Sequence, residues 1–79
     1  MTRCDWYVCQ AVQYVCTLGL GLSATQARAY LADPAFRLAE VAVEVALMAD
    51  DVAATKRMCQ AWMQAARVAR AHIGQGETL

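Results

Sequence analysis

The chain has 79 residues, no net charge, 59% apolar side chains and 18% charged ones. That length excludes more than one domain, and the absence of net charge argues against a surface built to neutralise phosphate. The apolar share exceeds the ~45–50% of ordinary domains, so a chain this short carries more apolar surface than it hides, and the surplus points to a partner.

Seventeen alanines, a single proline and no strand-type alternation predict helix nearly throughout, in an all-α bundle of three to four helices. The first helix is expected over residues 4–18. At 100° per residue, Tyr7, Val8, Cys9, Ala11, Val12, Val15, Cys16 and Leu18 share one broad face, and Gln10, Gln13 and Thr17 the other. Trp6 projects onto the polar side. Gly19 and Gly21 then end the helix. Residues 6–27 hold no charge, but glutamines, hydroxyls and the two glycines interrupt them. They make neither the ~20 predominantly apolar residues of a spanning helix nor the clean apolar core of a signal peptide.

Ser23 and Gln26 have the spacing of a capping box and open a short second helix to about residue 32. Asp33-Pro34 stops it and starts a third, with Asp33 as cap and Pro34 at the first helical position. The third helix covers residues 34–49. Its polar residues, Arg37, Glu40 and Glu44, fall within a ~60° arc. The remainder is apolar, so this helix is expected either at the centre of the bundle or in a dimer interface. Asp50 or Asp51 caps a fourth helix that reaches about Ile73. Val52, Thr55, Cys59, Trp62, Ala66, Ala69 and Ile73 repeat at three- and four-residue steps, a seam of the coiled-coil type. Met58, Ala61, Ala65, Val68 and His72 form a second stripe. Helices three and four make a C-terminal antiparallel hairpin, and the acidic third beside the basic fourth suits that pairing, or a dimer. Residues 1–73 are then one helical domain, and 74–79 a flexible tail.

Chemistry finds little to work with. Cys4, Cys9, Cys16 and Cys59 match no zinc or haem spacing and read as small buried hydrophobes in a reducing compartment. Cys9 and Cys16 lie ~10 Å apart along one helix, too far for a disulfide; Cys4–Cys59 and Cys9–Cys59 pairings stay open. The single histidine, His72, falls near a helix end, where the dipole favours imidazolium. Glu40 and Glu44 form the solvated stripe of the third helix. Gly19-Leu20-Gly21 lacks the spacing of a phosphate loop. No catalytic residue, cofactor site or metal site is expected, and the protein reads as a non-enzyme.

Two kinds of contact remain. Residues 13–31, with Gln13, the turn glycine Gly21, apolar Leu22, Ser23 and then inward Ala27, Tyr30 and Leu31, resemble the helix-turn-helix pattern. That resemblance implies a DNA-binding regulator contacting DNA through Ser23, Thr25, Gln26 and Arg28. Thr17, where a small alanine is usual, and Gly19 inside the first helix depart from it. Only Arg28 of the four is basic, so nucleic acid is the weaker expectation. The stronger is a protein-binding module, an adaptor, chaperone-like factor or inhibitor, that docks an apolar helical face and forms a homodimer. Trp6, Val43, Leu47, Met48, Met58 and Met63 are its candidate interface residues, because tryptophan and methionine concentrate at interface cores. Many alanines and arginines with one lysine suggest a high-GC bacterial or phage gene. The expected compartment is the cytoplasm, with no membrane partner.

Overall fold

The computed structural model of the chain describes residues 2–77. They form α1 (Arg3–Leu18), α2 (Ala24–Ala32), α3 (Pro34–Met48) and α4 (Val52–Glu77), with no strand among the described residues. Each helix begins at a side chain that satisfies its orphan N–H groups. Thr2 and Asp5 form a capping box on α1: Thr2 Oγ1 accepts from the Asp5 N–H at 3.2 Å, and the Asp5 carboxylate accepts from the Thr2 N–H at 3.3 Å. Ser23 and Gln26 repeat the device on α2. Asp33 accepts from the Phe36 N–H at 3.0 Å, with Pro34 beginning α3. Asp51 accepts from the Ala54 N–H at 3.0 Å.

The α3–α4 turn separates the two candidate caps by role. Asp50 has a φ of 53°, the left-handed conformation that ends many helices. Its N–H donates to Leu47 O, and the Asp51 N–H reaches back to Ala46 O at 3.2 Å. That pair of bonds is a Schellman closure of α3. Asp50 therefore closes α3, while Asp51 opens α4. The Cys4 thiol donates to Asp50 Oδ1 at 3.7 Å and ties the start of α1 to this turn.

The α1–α2 turn is held from a distance. Gly21 has a φ of +83°, and a Cβ on Gly19 would stand 3.4 Å from the Tyr30 ring. The Tyr30 hydroxyl donates to Val15 O at 2.7 Å, and Arg70 Nε donates to Leu18 O at 3.0 Å. Two carbonyls at the end of α1 thus find partners on α2 and α4.

The core gathers Ala11 and Val15 of α1, Tyr30 of α2, Phe36 and Val43 of α3, and Cys59, Trp62, Ala66 and Ala69 of α4. Phe36 bridges Tyr30 and Trp62, with ring centroids 5.2 and 5.8 Å away. The expected α4 seam is the buried one from Thr55 to Ala69, whereas Val52 at its start is exposed.

Several expectations change. The central helix is α4, which packs on both α1 and α3; α1 and α3 barely meet. The reason is length and position: α4 is the longest helix and its seam faces both neighbours. Helices α3 and α4 do pack as the expected hairpin, but no ion pair between the two helices holds it among the described residues. Among the described residues the one ion pair is Arg37–Glu40, within α3, at 3.5 Å. All four thiols are free; Cys4 and Cys59 are buried, but Cys9 and Cys16 are exposed. Here α1 buries a narrower arc than its apolar face spans, centred on Cys4, Ala11 and Val15. Burial, then the neighbouring Cys4, pushes the Cys59 thiol above its ordinary pKa. Finally, α4 continues past Ile73 to Glu77. A glycine costs a helix about 1 kcal/mol but keeps its N–H, so Gly74 does not end it. Residues 78–79 of the expected tail lie outside the described residues.

Candidate protein interface

Two grooves flank α4, and they differ in chemistry. At 100° per residue Ala54 and Met58 face one flank, and Lys56, Gln60 and Met63 the other. The first flank meets α3. There Ala42, Val45 and Ala46 of α3, Ala49 and Asp51 of the turn, and Ala54 and Met58 of α4 line a cavity of about 420 Å³. Small side chains make this groove shallow and uncharged along most of its length. Beside it runs a bare stripe of α3. Leu38 is 73% exposed, Val41 49%, Val45 62% and Met48 86%. Their spacing of three, four and three residues puts them on one face.

The second groove lies between α1 and α4. Trp6, Tyr7, Gln10 and Tyr14 form one wall, and Lys56, Gln60 and Met63 the other, around a cavity of about 340 Å³. The Trp6 ring stands edge-on to Tyr7 at 5.2 Å. Lys56 Nζ lies 5.9 Å from the centre of the Tyr7 ring.

The six candidate interface residues do not form one patch. Trp6, 52% exposed, and Met63 line the α1–α4 groove. Met48 lies on the α3 stripe, and Met58 lines the α3–α4 groove. Leu47 is half-buried. Val43 is 4% exposed and belongs to the core, so it offers nothing to a partner. Its helical phase matches that of Phe36, which faces Trp62, and the two turn inward together. Leu38, Val41 and Val45, which are not among the six, are exposed apolar residues of α3. The signal for them was Phe36: the largest apolar side chain of α3 marks the inward arc and leaves the other arc outside.

The four candidate DNA-contact residues are placed as follows. The Ser23 and Gln26 side chains are engaged in capping each other's backbone. Thr25 and Arg28 are exposed. Among the described residues α2 leans on α3 and α4, and its backbone does not approach that of α1, as the two helices of a helix-turn-helix do. His72 is exposed on α4. Among the described residues no three His, Cys, Asp or Glu side chains cluster as metal ligands, and no helix is long and apolar enough to cross a membrane.

No protein-family model, curated protein or solved structure matches the chain.

Proposed function

We propose that this protein is a non-enzymatic contact module that dimerises through the outward face of α3 and serves as an adaptor, chaperone-like factor or inhibitor of another protein. The carrying observation is the stripe Leu38, Val41, Val45 and Met48, 49–86% exposed on a helix whose other face already fills the core. The stripe's spacing reads the same in both directions. An antiparallel crossing of two copies therefore sets Leu38 opposite Met48 of the second copy, and Val41 opposite its Val45. The Ala42, Ala46 and Ala49 edge lets the second helix approach closely, as small residues do in ridges-into-grooves packing.

Surface area supports a second copy. A monomer of 8.6 kDa ordinarily exposes about 4,700 Å². This chain exposes 5257 Å². The excess, about 560 Å², is roughly two-thirds of the ~800 Å² that each partner contributes to a stable interface. Four free thiols agree with a reducing compartment such as the cytoplasm.

Sedimentation at micromolar concentration tests the reading. Dimer is expected for the wild type and monomer for Val41→Glu/Val45→Glu, with helical circular dichroism unchanged because both sites are solvent-facing. A wild type that sediments as monomer overturns it.

A further inference from the structure

The α1–α4 groove lies on the flank of α4 away from the α3 stripe, and its chemistry is different. We propose that it binds an acidic amphipathic helix of another protein, at a site separate from the dimer face. The groove continues along α4 into a second hollow that shares Tyr14, Gln60 and Met63 and ends at Arg67. Its walls are aromatic and sulfur-bearing: Trp6 at 52% exposure, Tyr14 at 36%, and Met63. Trp and Tyr give large contact area with little conformational entropy to lose, and methionine adapts to varied ligand shapes.

Charge selects the occupant. Lys56 and Arg67 are the charged residues of the trough, and no carboxylate lines either hollow. Among the described residues neither cation has a carboxylate within ion-pair distance. Five of the seven acids, Asp33, Glu40, Glu44, Asp50 and Asp51, lie on α3 and its turns; Asp5 lies in the first turn of α1, where it accepts from the Thr2 N–H, and Glu77 ends α4. Eleven residues separate the two cations, about 16 Å along the helix, close to three full turns. A partner helix laid along the trough presents two carboxylates at the same eleven-residue interval on one face, with apolar residues between them facing Trp6, Tyr14 and Met63. Two walls made by neighbouring helices give the geometry of helix-in-groove recognition. A phosphate backbone needs a row of cations, and this trough has two on a chain of zero net charge.

The test uses a fluorescein-labelled synthetic helical peptide with leucines between two glutamates eleven residues apart. Its controls are the same peptide with lysines for the glutamates, and oligothymidylate. Anisotropy is expected to show saturable binding of the glutamate peptide, at least about tenfold weaker binding of the lysine peptide, and no binding of oligothymidylate. Lys56→Glu/Arg67→Glu should invert the preference between the two peptides. Trp6→Ala should weaken binding of the glutamate peptide. Val41→Glu/Val45→Glu, which removes the dimer face, should leave that binding unchanged. Both cations are exposed, and surface substitutions of this kind have little effect on stability. Should the charge reversal unfold the chain, Lys56→Gln/Arg67→Gln replaces it, with loss of the preference as the expected result. Equal binding of the two peptides, no saturable binding, binding of oligothymidylate, or undiminished glutamate-peptide binding by the charge variant would each overturn the proposal.

Discussion

The two arms of the hairpin use their apolar residues differently. In α4 the buried ones converge on one seam: Thr55, Cys59, Trp62, Ala66 and Ala69 are at most 7% exposed. Val52 and Val68 stand exposed, 16 residues apart, and the flank beyond the seam carries Lys56, Gln60, Gln64 and Arg67. In α3 they form two faces. Phe36, Val43 and Ala46 turn inward, Leu38, Val41, Val45 and Met48 turn outward, and the charges are confined to Arg37, Glu40 and Glu44. The α4 seam explains how the monomer holds together. The outward stripe of α3 is 49–86% exposed in the monomer, and that exposure is the ground on which a second copy is proposed. An amphipathic helix reports on its own fold; a helix apolar on two sides reports on something outside it.

The strongest way to break this comparison is to cut into each face of α3 in turn. Phe36 is 1% exposed between Tyr30 and Trp62, so Phe36→Ala should lose about 3–5 kcal/mol in urea unfolding. Leu38→Ala, two residues on, should stay within about 0.5 kcal/mol when measured in the monomeric Val41→Glu/Val45→Glu background. Comparable losses at the two sites would erase the distinction between the faces.

A smaller effect tests how α1 is attached to the core that α3 and α4 share. Tyr30→Phe removes the hydroxyl bonded to Val15 O and should lose about 1–2 kcal/mol. It should also change the alkaline limb. Burial, then the nearby Cys16, raises the Tyr30 pKa above 10.0, against the opposing pull of Arg70. The folded state therefore holds this proton more tightly than the unfolded chain. The resulting stability is complete below pH 10 and is lost as pH climbs through the raised value. In a pH series of unfolding curves, Tyr30→Phe should flatten this limb but keep the part owed to Cys59, which begins near its ordinary value of 9.0. An unchanged limb would mean that Tyr30 is not its source.

The smallest expected change sharpens the description of the seam. Thr55 Oγ1 is buried, with no hydrogen-bond partner among the described residues. Replacing it with an apolar group of the same shape should raise stability, so Thr55→Val is expected to gain about 1 kcal/mol. A loss in the same unfolding assay would show that the hydroxyl is satisfied and that the seam is partly polar.

What the sequence made legible was local. Ser23 with Gln26 and Asp33 with Pro34 each announce a helix start through bonds spanning three residues, so the order of the four helices and the starts of α2 and α3 are legible. Asp50 and Asp51, by contrast, compete for the start of α4, and its end lies at Glu77 rather than Ile73. Thr2 and Asp5 carry the same signal one element earlier, with aspartate where glutamate or glutamine is usual. What stayed hidden depends on neighbours. The apolar arc of α1 includes Cys9, Val12 and Cys16, yet α4 covers only part of it. The arc of α3 was wide enough to admit either phase, and Val43 was assigned to the wrong one. Trp6 was legible as an outlier on a polar face, but its company with Tyr14 and Met63 required α4 to be in place. The positive φ of Asp50 has no local residue signal, since glycine is the usual occupant of that position.

The bond from Arg70 to Leu18 O joins residues 52 positions apart, so it is among the contacts with the most loop entropy to overcome. The α3–α4 hairpin closes over a turn of three residues, with little loop entropy to lose. Docking α1 closes a far longer loop, and the entropic cost of closure grows with its length. Loop entropy alone predicts the hairpin as the early unit and α1 as the last to dock. The α1–α4 trough comes into being only at that final step. A ligand seated there draws the docking equilibrium toward completion by mass action, so occupancy of the trough and attachment of α1 are two readings of one event.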